Sequence, residues 1–142
     1  MSLLDAIIER LRPLGDVYLR EAIRYDEEGN LVDLEYPYWM VWPSDSRPGG
    51  EVALDDNAAD LTAVIGVTSV ATTPKGAQIA ATNARKLLGT TKWQPLAVEG
   101  SRAAIRWQSQ VGGAIDRDVV LPNTGRHPAY EVDFYRVEST PS

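Results

Sequence analysis

Two segments of the chain have the apolar spacing of amphipathic helices. The first has a stripe of apolar residues that ends before Pro13; its members are Leu3, Leu4, Ile7, Ile8 and Leu11. In the second, Thr73 can cap a helix whose first position is Pro74, and the alanines and leucines that follow share one face. Gly89 suits the left-handed position after its end. We therefore predict two helices, each with one buried face.

Alternating apolar and polar positions predict the strands. Residues 17–24 and 32–36 alternate on either side of the turn signal "EEGN", which predicts a hairpin between them. Gly112 and Gly113 predict a second, tight hairpin turn. The further strand predictions, in chain order, cover residues 38–42, 61–70, 103–111, 114–121 and 130–137.

This order of elements indicates an α+β domain. We predict a mostly antiparallel sheet of about five to six strands with both helices packed on one face. The 142 residues form a single domain, 1–142, in this interpretation. Residues 43–59 lack a clear pattern and are predicted to be a long flexible loop that orders on a partner, and residues 139–142 a frayed tail.

The stretch "YPYWMVW" (36–42) is apolar on both sides of the predicted strand. Tyr38, Met40 and Trp42 share one side, which we expect to face the helices. Trp39 and Val41 share the other side, and no further helix is predicted to cover it. Exposed tryptophan among apolar neighbours is typical of a protein interface. The predicted interface residues are Tyr38, Trp39, Val41 and Trp42, with Arg47, Asp55 and Asp56 of the loop.

Charge adds a second indication of self-association. The net charge is −6, which argues against sequence-independent binding of nucleic acid. Residues 1–60 carry 14 acidic and five basic side chains, whereas residues 61–113 carry one acidic and six basic ones. If the two parts lie on different surfaces, copies of the chain attract each other head to tail. The alternative is that the charges scatter over the folded surface.

The candidate chemistry is sparse. The only histidine, His127, lies in a predicted loop, and no nucleophile–histidine set can be assembled around it. Asp116 and Asp118 share a strand face and could bind a metal, but a solvated face is the better interpretation. There is no cysteine and no apolar run long enough to span a membrane, and the N-terminus lacks the features of a signal peptide. We expect no catalytic, cofactor-binding or metal-binding residues, and a protein made in the cytoplasm.

The layout resembles the tail terminator (tail completion) proteins of long-tailed bacteriophages, particularly those of phages of actinobacteria. The similarity covers residues 3–137, and "VTSVATTPKGAQIAATNARKLL" is its most specific part. The phrases that carry it, in order, are "LLDAIIERLRPL", "YPYWMVWP", that segment, the "SQV…DRDV" hairpin and "YEVDFYRV". The long 43–59 loop and the number of tryptophans depart from the family's pattern.

The resemblance implies a structural role in the virion. Such proteins form a ring, commonly a hexamer, on the head-proximal end of the tail tube, where they stop polymerisation and offer a docking surface to the head. The implied partners are other copies of the chain, the major tail tube protein, the head–tail connector protein and, without specific binding, the passing genomic DNA. No membrane is implied.

Two other interpretations remain open. The chain could be another neck component, a connector or stopper on the portal side, because these share its size and acidity. It could also be a small-molecule-binding or enzymatic α+β domain that uses the aromatic strand as a pocket wall.

Overall fold

The structure is a computed structural model that describes residues 3–44, 61–98, 100–117, 119–121 and 125–141. Helix α1 (Leu3–Leu11) continues into a 3₁₀ turn (Arg12–Leu14), and helix α2 covers Pro74–Leu88. The strands are β1 (Asp16–Leu19), β2 (Arg24–Tyr25), β3 (Leu31–Val32), β4 (Tyr38–Pro43), β5 (Leu61–Ala71), β6 (Gln94–Val98), β7 (Ser101–Ile115) and β8 (Ala129–Pro141).

Six of the strands form one curled sheet in the order β1-β4-β5-β8-β7-β6. Strand β1 pairs with β4 in parallel, and the other pairs in this sheet are antiparallel. Strands β2 and β3 form a separate small hairpin. The predicted fold class, a mostly antiparallel α+β sheet with helices packed against it, is confirmed.

Both described helices pack on the same face of the sheet, which we call the helix face. Helix α2 begins where the Thr73 hydroxyl accepts a hydrogen bond from the Gly76 N–H at 3.0 Å, and Pro74 supplies the preset φ of its first position. Its small residues, such as Ala80 and Ala84, bring it close to the sheet. Helix α1 contacts α2, β1 and β4, and Arg10 donates to the Pro95 carbonyl oxygen of β6 at 2.6 Å.

The hydrophobic core lies between these helices and the sheet. The cross-strand register aligns Val41 with Val67 and Ile105 with Val137, so alternate residues of adjacent strands reach the same layer. The largest fully buried side chains of the described residues are Trp39, Tyr135, Leu3, Leu4, Ile7, Leu11, Ile65, Leu88, Ile105, Val41 and Val67.

The predicted hairpin between residues 17–24 and 32–36 forms only at its turn end, where Arg24 pairs with Val32, and is wrong for residues 17–19. The chain leaves β1 at Arg20, which has a positive φ of 64°, and β1 then pairs with β4 rather than with its neighbour in sequence. The predicted "EEGN" turn does form, but it closes only the short β2–β3 hairpin. There the Asp26 carboxylate accepts hydrogen bonds from the backbone N–H groups of Glu28 and Asn30.

The predicted turn at Gly112 and Gly113 is also wrong. Strand β7 continues through both glycines, with shifts of register against β8 between Trp107 and Ser109 and between Val111 and Ala114. A Cβ atom on Gly113 would lie 2.8 Å from a carboxylate oxygen of Glu131. Glycine is needed here for a close approach to β8. Strand β7 ends at Ile115, and the described residues 116, 117 and 119–121 are not in a strand, so the predicted strand 114–121 is wrong for them.

The C-terminal half differs from prediction in two further places. Strand β6, which the apolar pattern did not reveal, pairs with β7 from Val98 opposite Ser101 to Gln94 opposite Ile105. The predicted frayed tail is wrong for its described part, because β8 continues to Pro141, opposite Ser101. Most of the predicted 43–59 loop lies outside the described residues. Among those that are described, no helix has the length and apolar character needed to cross a membrane.

Candidate protein-interaction surface

The sheet face opposite the helices carries most of the partly exposed aromatic side chains of the described chain. We call it the open face, since neither of the described helices packs against it. Its residues alternate along each strand with those of the core. The aromatic and apolar side chains of the open face are Tyr18, Tyr38, Met40, Trp42, Val64, Val70, Val111, Tyr130, Val132 and Phe134.

The orientation predicted for β4 is reversed in the structure. Trp39 is only 2% exposed and Val41 is fully buried, so these two predicted interface residues are core residues. The Trp39 indole N–H donates to the Ala80 carbonyl oxygen of α2 at 3.1 Å. Trp39 also packs closely against Gly15: a Cβ atom placed on this glycine would lie 3.2 Å from the Trp39 ring. This packing leaves no Trp39 surface for a partner. The predicted lack of cover over this side was wrong because α1 and α2 both cover it.

Trp42 is the central side chain of the open face. Its ring lies flat over Gly66, the residue opposite it on β5, where an added Cβ would come within 2.3 Å of the indole. Its N–H donates to the Thr68 hydroxyl at 3.0 Å. The ring of Phe134 meets it edge-on, with ring centroids 5.7 Å apart. These contacts fix the indole and leave it half-buried, with apolar area for a partner.

Three tyrosines lie together at the β1 end of the open face. The rings of Tyr18 and Tyr38 meet edge-on at 5.7 Å between centroids, and those of Tyr36 and Tyr38 lie 5.4 Å apart. Burial, with smaller contributions from Tyr36 and Asp116, raises the pKa of Tyr38 to about 12. Like that of any tyrosine, its hydroxyl is protonated at neutral pH, and it can donate a hydrogen bond to a partner.

A depression of about 560 Å³ lies between these tyrosines and the start of β8. Met40, Val70 and Val132 contribute to its floor, and Asp116 and Arg117 contribute charge to its lining. A hollow lined by apolar and polar groups in similar measure can accept a side chain of a partner protein or a small amphipathic molecule.

Other candidate residues of the sequence do not form a site in the described part of the chain. His127 is held through Nδ1, 2.6 Å from the Val119 carbonyl oxygen. Among the described residues, no group of three His, Asp or Glu side chains could hold a metal ion. The predicted interface residues Arg47, Asp55 and Asp56, and the metal candidate Asp118, lie outside the described residues.

A polar cluster under α2 was not predicted from the sequence. The Asp133 side chain, 1% exposed, accepts a hydrogen bond from the Trp107 indole N–H at 2.9 Å, and the Arg85 guanidinium of α2 lies 3.5 Å from the same oxygen. Burial raises the pKa of Asp133, and the Trp107 hydrogen bond and Arg85 oppose that rise. The cluster joins α2, β7 and β8 inside the core. The sequence could have indicated this cluster through an acidic residue, Asp133, at a position of β8 that faces the core.

The uneven charge of the sequence divides the described elements into an acidic and a basic segment. Residues 3–44, which form α1 and β1 to β4, carry nine acidic and four basic side chains. The described residues of 61–117, which form β5, α2, β6 and β7, carry seven basic side chains and one acidic side chain. In the strand order, β1 and β4 of the acidic segment lie at one end and β7 and β6 of the basic segment at the other, while α1 of the acidic segment also contacts β6.

No protein-family profile matches the chain, and no curated protein sequence is significantly similar to it.

Proposed function

We propose that this protein is a structural virion protein that forms a ring on the head-proximal end of a phage tail tube. In this role it ends polymerisation of the tube and provides the surface onto which the head docks. Its partners are other copies of itself, the tail tube protein and the head–tail connector protein. The proposal starts from the resemblance of residues 3–137 to tail terminator proteins.

The observation that carries the proposal is the open face. Its aromatic residues are ordered by contacts within the sheet, as Trp42 is by Gly66, Thr68 and Phe134, yet remain partly exposed. Fixed aromatic side chains of this kind bind proteins at low entropic cost, because few rotamers are lost on binding. A tube-capping protein requires such a pre-formed surface for the end of the tube.

The distribution of charge supports the ring. A closed ring of identical subunits needs two different surfaces on each subunit, one for each neighbour. Strand β1, which belongs to the acidic segment, and strand β7, which carries Arg102 and Arg106, lie toward opposite ends of the sheet, and opposite charge at the two ends would favour head-to-tail contact. The net charge of −6 also suits a channel through which DNA moves without binding.

Electron microscopy of the purified protein mixed with purified tail tubes tests this function. The expected result is a ring at one end of each tube, and no further addition of tube subunits at that end. The same protein is mixed in parallel with portal complexes that lack tails. Binding to portals and not to tubes would replace the proposed role with that of a connector or stopper.

The depression beside Tyr38 supports a second candidate, a small-molecule-binding domain. Its apolar floor and the charged side chains of Asp116 and Arg117 would suit a small amphipathic ligand. A rise in melting temperature with a library of such compounds, lost in Met40→Lys, would favour this candidate over tube capping.

A further inference from the structure

Strand β7 has a long outer edge that no described strand covers. Strand β6 pairs with β7 only as far as Ile105, and the Trp107 N–H then donates to the Thr90 carbonyl oxygen at 2.8 Å. Beyond that point β7 pairs with β8 on its inner side alone. All eight residues from Gln108 to Ile115 are exposed, including Val111 at 53%. We call residues 108–115 the β7 edge.

The β7 edge differs from the two terminal strands of the sheet. Strand β1 is only four residues long and begins with an acidic residue, Asp16. Strand β6 contains Pro95, which has no backbone donor. Short length, charge and proline are the usual features that prevent an exposed strand from pairing with another chain. The β7 edge, "QSQVGGAI", has no charged residue and no proline, so the protective feature left to it is its irregular register against β8.

The two glycines in the β7 edge indicate what can occupy it. No atom lies within 4 Å of a Cβ position built on Gly112, so there is space for a neighbouring side chain there. In an antiparallel pair of two copies centred on these glycines, glycine would face glycine, and little side-chain contact would form. A different chain can place a bulky residue over this space, as aromatic residues do beside strand glycines.

We propose that the β7 edge binds an extended segment of a different protein, which adds to the sheet as a seventh strand. Backbone hydrogen bonds to residues 108–115 supply the affinity, and side chains of the added strand supply the specificity. The segment is uncharged, because residues 108–115 carry no charge and the Glu131 carboxylate lies against Gly113, where it would repel an acidic side chain, and it carries a bulky apolar residue next to Gly112. This inference does not depend on the proposed role at the tail tube.

Fluorescein-labelled peptides test the proposal. Each is about nine residues long, to span the edge, and alternates threonine with valine; the central residue is alanine, valine or phenylalanine. A control peptide has proline at every third position, which removes backbone donors. We expect saturable binding of the phenylalanine peptide, weaker binding of the alanine peptide and none of the proline peptide. Hydrogen exchange of the amides of residues 108–115 slows when the phenylalanine peptide is bound.

Two protein variants separate strand addition from general adhesion. Val111→Lys places a charge on the β7 edge and is expected to weaken peptide binding about tenfold or more. Val120→Lys makes the same change at another exposed valine, 59% exposed and outside the strand, and is expected to bind as the wild type does. Equal melting temperatures of the variants ensure that folding is not the cause.

Three outcomes would overturn the proposal. The first is that none of the alternating peptides binds saturably, and the second is that Val111→Lys binds them as tightly as Val120→Lys. The third is that sedimentation shows a wild-type dimer that Val111→Lys dissociates, which would make a second copy the occupant of the edge.

Discussion

Trp39 and Trp42 lie three residues apart on one strand and have opposite surroundings. Trp39 is enclosed by both helices and donates a hydrogen bond to α2, whereas Trp42 lies over a glycine of the neighbouring strand and stays half-buried. The residue type is the same and the backbone is continuous. The difference arises because successive side chains of a strand point to opposite faces, and only one face of this sheet is covered by the described helices.

This contrast separates stability from binding. On the helix face, packing in the interior determines the cost of a substitution, since every atom there has neighbours on all sides. On the open face, part of each aromatic ring remains in contact with water, and its burial is left for a partner. We therefore expect substitutions on the helix face to unfold the protein, and those on the open face mainly to affect association.

Trp39→Ala is expected to have the largest effect. Removal of a fully packed tryptophan leaves a cavity between α1, α2 and β4 and costs about 3–5 kcal/mol of unfolding free energy. That is a large share of the about 5–15 kcal/mol that keeps a typical domain folded. Urea denaturation followed by circular dichroism measures it. Trp93→Ala is the control, because this tryptophan is 41% exposed; an equal loss in both variants would contradict the assignment of Trp39 to the core.

Gly66→Ala should cost less, about 1–3 kcal/mol, through overpacking. The added methyl group would meet the Trp42 ring and push it away from Phe134 and Thr68. In a Trp42→Ala background the same glycine substitution should cost little, which a double-mutant cycle in urea can measure. Gly112→Ala is the control, because a Cβ there meets nothing within 4 Å. Additive costs for Gly66→Ala and Trp42→Ala would show that the indole does not occupy this place.

Asp133→Asn tests the burial of a side chain on the helix face through the pH dependence of stability. Because burial raises the pKa of Asp133 in the folded protein, the unfolded chain releases this proton more readily. The wild type should lose unfolding free energy as pH rises from about 4 through the folded pKa, and this loss should be absent from the variant. Urea midpoints between pH 4 and 7 measure the difference. Parallel pH profiles of the two proteins would mean that Asp133 is not desolvated.

Much of the fold could be predicted from the sequence, because its signals were local. The stripe of α1, the Thr73 cap and the proline that begins α2 each depend on neighbouring residues, and both helices form as predicted. The alternation of β8 likewise indicated a strand. The parallel pairing of β1 with β4 could not be predicted in this way, since it depends on how the chain turns after Leu19 and returns at Tyr38.

The candidate surface was harder to predict, for a physical reason. Strand β4 is apolar on both sides, so the sequence places Trp39 and Trp42 on opposite faces without indicating which face the helices cover. That choice is made by Ala80 and the residues of α1, far away in the sequence. The prediction of a turn at Gly112 and Gly113 failed for a related reason. A Gly-Gly pair occurs both in tight turns and where two strands approach closely. Here it allows a close approach, because Glu131 of β8 lies against Gly113.

We propose that the open face, and not the helix face, binds the end of the tail tube. The most direct test places a charge on each side of the molecule: Met40→Lys in the depression of the open face, and Ile79→Lys on the outer surface of α2, where the isoleucine is 53% exposed. Both proteins are first checked for wild-type melting, then mixed with tail tubes, and the fraction of capped tubes is counted by electron microscopy. We predict that Ile79→Lys caps tubes as the wild type does and that Met40→Lys leaves them open; normal capping by a folded Met40→Lys protein would contradict the claim.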